Sequence, residues 1–262
     1  MRFVHNNPCR IPAYDKETKC MHISYDILHI IFFRFIRRYV RRIIMRRVDV
    51  FRGNWILEET VKVIEMSTER YHINVTYPEY FLSGQSLITF NMAISAIITG
   101  YVHNFMNMAA KLSLSDGRKP ELKGRHSTYT AINRFIAVKI DLYPYLGGIH
   151  PGHDILTTTF DAASNTITGL SDLFTAGSNY LERLSTLSEK ALFEKYPELH
   201  FAFNDPTFRK GFAPKAENFA HWVLTDKGLM IFFPEYQVAP YAAGVLNVEL
   251  PYADIADIMH TS

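Results

Sequence analysis

From Trp55 onward, strand-like and helical hydrophobic patterns follow one another without a repeating strand–helix–strand rhythm, and this order constrains the fold most. YHINVTYPEY alternates and is rich in β-formers, so residues 71–77 read as a strand ended by Pro78. SLITFNMAISAIITGYVHNFMNMAAKL, 86–112, is long, apolar and helical, with Gly100 a weak point. LSDGRKPELKG reads as a loop, STYTAINRFIAVKIDLYPY as one long strand, and HDILTTTFD as its antiparallel partner. AASNTIT supplies a turn and a short strand, and a helix over 178–196 is stopped by Pro197. NFAHWVLTDKGLMIFFP gives two strands joined by Thr225-Asp226-Lys227-Gly228, where Asp and Gly suit a tight reversal. The strand VLNVELP and a final short helix, YADIADIM, complete the pattern. The expectation is α+β, with antiparallel sheets and packed helices, in one domain or two packed halves.

Charge is divided unevenly. Residues 1–54 hold twelve Lys/Arg against four Asp/Glu, a net +8, whereas the other 208 residues hold 16 basic and 22 acidic side chains, a net −6. Within the basic extension, residues 23–48 carry a helical pattern. Arg34, Arg37, Arg38, Arg41 and Arg42 step by three and four opposite Phe33, Ile36, Val40, Ile43 and Ile44. As a helix over 27–48 it suits an anionic membrane surface. Docking on the acidic body, or an upstream extension or damaged export signal without a role, fits as well. The uncharged run Ile27–Phe33 is far shorter than the roughly 20 residues a membrane span needs. The segment is a poor secretory signal, since its charges follow the apolar run. It resembles no named nucleic-acid motif, and no nucleic-acid partner is expected. Cys9 and Cys20 are the only cysteines, so the body needs no disulfide.

GGIHPGHDILTTTFD, 147–161, raises the question of chemistry, because His150, His153 and Asp154 fall close together. One reading makes them ligands of a metal-dependent hydrolase. The other makes the stretch a polar turn, since Pro151-Gly152 keeps the histidines off a shared helical face. HExxH, GxSxG, GxGxxG and P-loop patterns are absent, and neither a cofactor nor a metal is expected. Asp141, Asp154 and Asp161 read as solvated caps near strand ends. PEYQVAPYAAG, 234–244, is too irregular for a strand and too apolar for an ordinary loop. Tyr236, Pro240 and Tyr241 either pack beneath the sheet or offer rigid aromatic area to a partner.

YLGGIHPGHDILTTTFDAASNTITGLSDLF, with YLERLSTLSEKAL after it, resembles the RsiV-like family (domain of unknown function 3298 type), in which a Gly-Gly-x-His turn joins two strands. FAHWVLTDKGLMIFFPEYQVAPYAAGVLNVELPYADI is similar to that family's C-terminal signature, and YHINVTYPEY with the helix after it resembles a PdaC-like companion half. The resemblance divides the chain into a basic extension, 1–54, a PdaC-like half, 55–120, and an RsiV-like domain, 121–262. It implies a non-enzymatic, extracytoplasmic binding domain of the bacterial envelope, with any chemistry in a separate domain. It also implies a protein or cell-wall partner, lysozyme in the best understood branch, a cationic protein that a net-acidic body attracts. His150 matches the family's turn histidine. Gly148, His150 and Pro151 in one loop and Pro234, Tyr236 and Tyr241 in another are the expected partner-binding residues.

Overall fold

The computed structural model describes residues 40–51, 55–114 and 117–260. Its larger sheet has eight strands: β1 Val40–Phe51, β2 Trp55–Ser67, β3 His72–Leu82, β4 Gln85–Ser86, β5 Glu121–Ala131, β6 Phe135–Tyr145, β7 Asp154–Asp161 and β8 Thr166–Thr168. They lie in the order β1-β2-β3-β5-β6-β7-β8, with β4 beside β3. One junction is parallel, His72–Val75 against Glu121–Gly124, and it carries the sheet across residues 120 and 121, the expected limit between the halves. The described residues therefore form one compact unit.

Two layers cover this sheet. Helix α1, Ile88–Ala109, lies on one face, where Phe90 stacks between Tyr80 and Phe160 at 5.2 Å from each. All three rings are fully buried, and each contributes about 2–3 kcal/mol of burial. On the other face packs a three-stranded sheet of β9 Trp222–Leu224, β10 Gly228–Phe233 and β11 Leu246–Pro251, ordered β11-β10-β9. Alternation along β10 divides its work: Phe232 meets Ala137 and Ile155 of the large sheet, while Leu229, Ile231 and Phe233 face a second core. Helix α2, Tyr180–Lys195, closes that core with Leu184 and Leu192, helped by the single turns α3 His200–Phe203, α4 Pro206–Arg209 and α5 Tyr252–Ile255. The α+β class, the long helix and the β9–β10 reversal agree with the sequence reading.

Several expectations need correction. Val40–Phe51 is a strand, not the end of a basic helix; Arg41 and Arg42 lie in it, whereas Arg34, Arg37 and Arg38 fall outside the described residues. Val40, Ile43, Ile44, Val48 and Val50 favour extended backbone, and β1 gains a whole strand of pairing with β2. Its register breaks between Arg42 and Met45 and between Arg47 and Asp49, which hides the strand period. The sheet thus begins ahead of Trp55. Pro78 does not end β3, because β5 pairs only with His72–Val75 and the missing N–H falls beyond that pairing. Residues 127–145 are not one strand: Ile132 and Asn133 adopt φ of 54° and 50° and turn β5 into β6. The loop expected over 114–124 ends early, since Glu121–Gly124 belongs to β5.

Candidate functional site

Two loops on the same side of the large sheet meet. The first, residues 146–153, joins β6 to β7, and the second, 234–245, joins β10 to β11. In the first, Gly147 and Gly148 take φ of 90° and 137°, the left-handed region that suits glycine. The Gly152 N–H donates to the Pro144 carbonyl at 2.9 Å and closes the loop. His150 Nδ1–H donates to the Pro151 carbonyl at 3.0 Å, which leaves Ile149 at the tip, 100% exposed.

The second loop is fastened at its base. Gln237 Nε2 donates to the Gly211 and Asn218 carbonyls at 3.1 and 2.9 Å, and Val238 and Ala239 are buried. Gly211 is required there, because a Cβ would lie 2.2 Å from the Gln237 carbonyl oxygen. With the base fixed, Tyr236 is held at φ 66° and stands 61% exposed, 5.8 Å from the Tyr241 ring. Tyr241 is the bridge between loops. Its ring stacks on His150 at 3.7 Å and 15°, and its hydroxyl reaches the Pro151 carbonyl at 3.5 Å. His150, Pro151, Tyr236 and Tyr241 therefore sit in one surface formed by segments more than 80 residues apart, and Gly148 and Pro234 lie in the same two loops.

Beneath it lies a polar cluster. Asp141 is buried in mid-strand and accepts from His153 Nε2–H at 2.8 Å and from Lys139. Burial opposes its charge, but the bonds from His153 and Lys139 outweigh that and hold its carboxyl below the usual range. His153 stacks on Tyr143 at 4.4 Å, and Arg125 donates to the Tyr143 hydroxyl at 3.0 Å. Burial pushes His221 down, against the pull of Asp154 and with help from Lys139. Glu235 has no hydrogen bond or ion pair among the described residues; burial raises its carboxyl, His153 and His150 oppose the rise, and Asp154 adds to it.

The three residues of the metal reading part company. His150 stacks on Tyr241, His153 binds Asp141, and Asp154 accepts from the Tyr101 hydroxyl. Among the described residues no group of three or more His, Cys, Asp or Glu is placed to hold a metal ion. Asp141 and Asp161 are buried and hydrogen-bonded rather than solvated caps. Glu235 and Gln237 stand between residues singled out from sequence, yet neither carried a signal of its own. Tyr101 was hidden in the helical pattern.

The model of the family DUF3298, described as a protein of unknown function, matches residues 171–253. Those residues are a DUF3298 domain. It supplies α2, the three-stranded sheet and the Pro234–Tyr241 loop, whereas the Gly148–His153 loop lies before the matched residues. The chain is also 27% identical over 124 residues, 47% of its length, to the peptidoglycan-N-acetylmuramic acid deacetylase PdaC of Bacillus subtilis (strain 168). The match spans about a quarter of that relative, 26%. A DUF3298 family protein from Pseudomonas aeruginosa PAO1 shares the fold with a TM-score of 0.56 at 10% identity, over 84% of this chain and 94% of that one. A DUF3298 member from Bacteroides fragilis NCTC 9343 does so with a TM-score of 0.51 at 15% identity, over 85% and 93%. Among the described residues no helix is long and apolar enough to cross a membrane.

Proposed function

We propose that this chain is a non-enzymatic binding domain of the bacterial cell envelope that grips a protein partner with the two apposed loops. The observation that carries the reading is the His150–Tyr241 stack, which fuses the loops into one aromatic surface and leaves Tyr236 and Ile149 projecting from it. Tyrosine brings large contact area at low entropic cost, and such anchors dominate binding energy in many interfaces. Glu235, a carboxylate without a hydrogen bond or ion pair among the described residues, adjoins the aromatic surface, and residues 55–262 carry a net charge of −6. Both favour a cationic partner. Lysozyme is the candidate that the RsiV-like resemblance points to, and the extracytoplasmic location rests on the same resemblance.

The test is binding of the full chain to immobilised lysozyme, alongside capture from envelope extracts. Tyr236→Ala is expected to weaken binding about 30-fold while the melting temperature stays nearly unchanged. Equal binding by wild type and variant, or turnover of a cell-wall substrate that is lost on replacing His150 or His153, overturns the proposal.

A further inference from the structure

Residues 80–110 contain no Asp, Glu, Lys or Arg, in a chain where such residues make up 21%. The run includes the whole of α1, whose inner face is taken up by the core, with Phe90, Ile94, Ile98, Val102 and Phe105 buried. The outer face of a surface helix ordinarily carries charge, and here it carries none. Instead Ile88 and Met92 stand 65% and 68% exposed, with Ile97 at 36% and Met108 at 47%. Ile88, Met92, Ala96 and Gly100 follow one another at four-residue steps along this face. The fold itself does not require Gly100, since a Cβ there would meet nothing within 4 Å. Glycine costs a helix interior stability that alanine would not. In the row of side chains it leaves a notch, about two turns beyond the projecting Met92.

We propose that two copies of this chain pair through the outer face of α1, antiparallel about a twofold axis beside Ala96, with Met92 of each copy seated over Gly100 of the other. Met92 and Gly100 lie four residues to either side of Ala96, so reversing one helix about that point sets each projection opposite a notch. Ile88 and Ile97 widen the apolar contact, and Thr89, Asn104 and Asn107 give it a polar, uncharged rim. The pairing goes beyond the binding reading and does not depend on the two loops.

Charge selects a second copy over other occupants. A cationic partner finds no carboxylate on α1, and an anionic lipid surface is repelled by the net −6 of residues 55–262. An identical helix meets neither a like charge nor a charge that must be stripped of water. Area sets the strength of the pair. A helix of 22 residues is about 33 Å long, and a contact strip about 10 Å wide buries roughly 700 Å² over both copies. Stable interfaces begin at roughly 1,200 Å², so the pair is transient, with a Kd on the order of 100 μM.

Sedimentation equilibrium of the full chain under reducing conditions, from about 5 to about 500 μM, reads the pairing without any ligand. The wild type is expected to pass from monomer to dimer across that range. Met92→Glu should weaken association about tenfold or more, with the melting temperature retained. Gly100→Ala separates pairing from folding, because its two effects oppose each other. It should raise the melting temperature of the dilute monomer by about 2–3 °C, while filling the notch weakens association about three- to tenfold. A mixture of Met92→Glu and Gly100→Lys chains should associate more tightly than either alone, since the introduced carboxylate then faces the introduced ammonium. A wild type that stays monomeric throughout overturns the inference, as does one that instead binds phosphatidylcholine vesicles through Met92. Association indifferent to both Met92→Glu and Gly100→Ala overturns it equally. Since no partner protein takes part, these results are distinct from failure of the binding reading.

Discussion

Asn91 of α1 holds both backbone polar groups of Tyr80 in β3 with the two ends of its side-chain amide: Oδ1 accepts from the Tyr80 N–H at 2.7 Å, and Nδ2 donates to the Tyr80 carbonyl at 2.8 Å. The helix thus supplies, through one residue, hydrogen bonds to β3 beyond its pairing with β5. Asn91→Ala leaves the Tyr80 N–H without its acceptor, while the Tyr80 carbonyl keeps its bond from the Leu87 N–H at 3.1 Å. We expect a loss of about 2 kcal/mol, read as a fall of about 5 °C in melting temperature.

Gly228 begins β10 opposite Pro251, and a Cβ there would lie 1.9 Å from the Leu250 carbonyl oxygen. Backbone on both sides prevents relief by a rotamer change. Gly228→Ala should cost about 3 kcal/mol or more, seen as a clear drop in the urea midpoint with the slope retained.

Tyr236 occupies the left-handed region at φ 66°, which a non-glycine residue holds at a cost of about 1 kcal/mol. Tyr236→Gly should therefore leave thermal stability unchanged or raise it by up to about 1 kcal/mol. Partner binding should fall as far as in Tyr236→Ala. A stable variant that fails to bind separates recognition from folding.

Asp161 accepts two bonds from Arg134, at 2.9 and 2.8 Å, and others from the Ala163 N–H and Ser164 Oγ. Burial opposes its charge, but these donors bring its carboxyl down to about 2. Because the folded value is depressed, the stabilisation is present above the ordinary carboxylate range and disappears as pH falls through about 2. Asp161→Asn should cost about 2 kcal/mol at pH 7. In urea unfolding, the gap from wild type should narrow steadily below pH 4.

The elements easiest to read from sequence were those fixed by local chemistry. Asp226-Lys227-Gly228 turns β9 into β10, and Pro197 follows the end of α2 at Lys195. The turn at Ile132 was hidden because isoleucine is an unlikely residue at positive φ. It is held from afar, by the Asp226 carboxylate accepting from the Ile132 N–H at 3.2 Å. The strand β1 was hidden for a related reason, since its pairing with β2 outweighs a helical spacing of arginines. Both loops of the candidate site stood out through their Gly, Pro and Tyr content, but their meeting did not. His150 reaches Tyr241 only because two separate sheets pack together, and no local pattern encodes that distance.

The four-residue parallel seam between His72–Val75 and Glu121–Gly124 has a consequence for how the polypeptide is assembled. Everything N-terminal to it ends in an unfinished flank until β5 has been synthesised and has travelled back past α1. Severing the polypeptide after Pro120 would give two fragments with raw borders, each inviting aggregation before it could find the other.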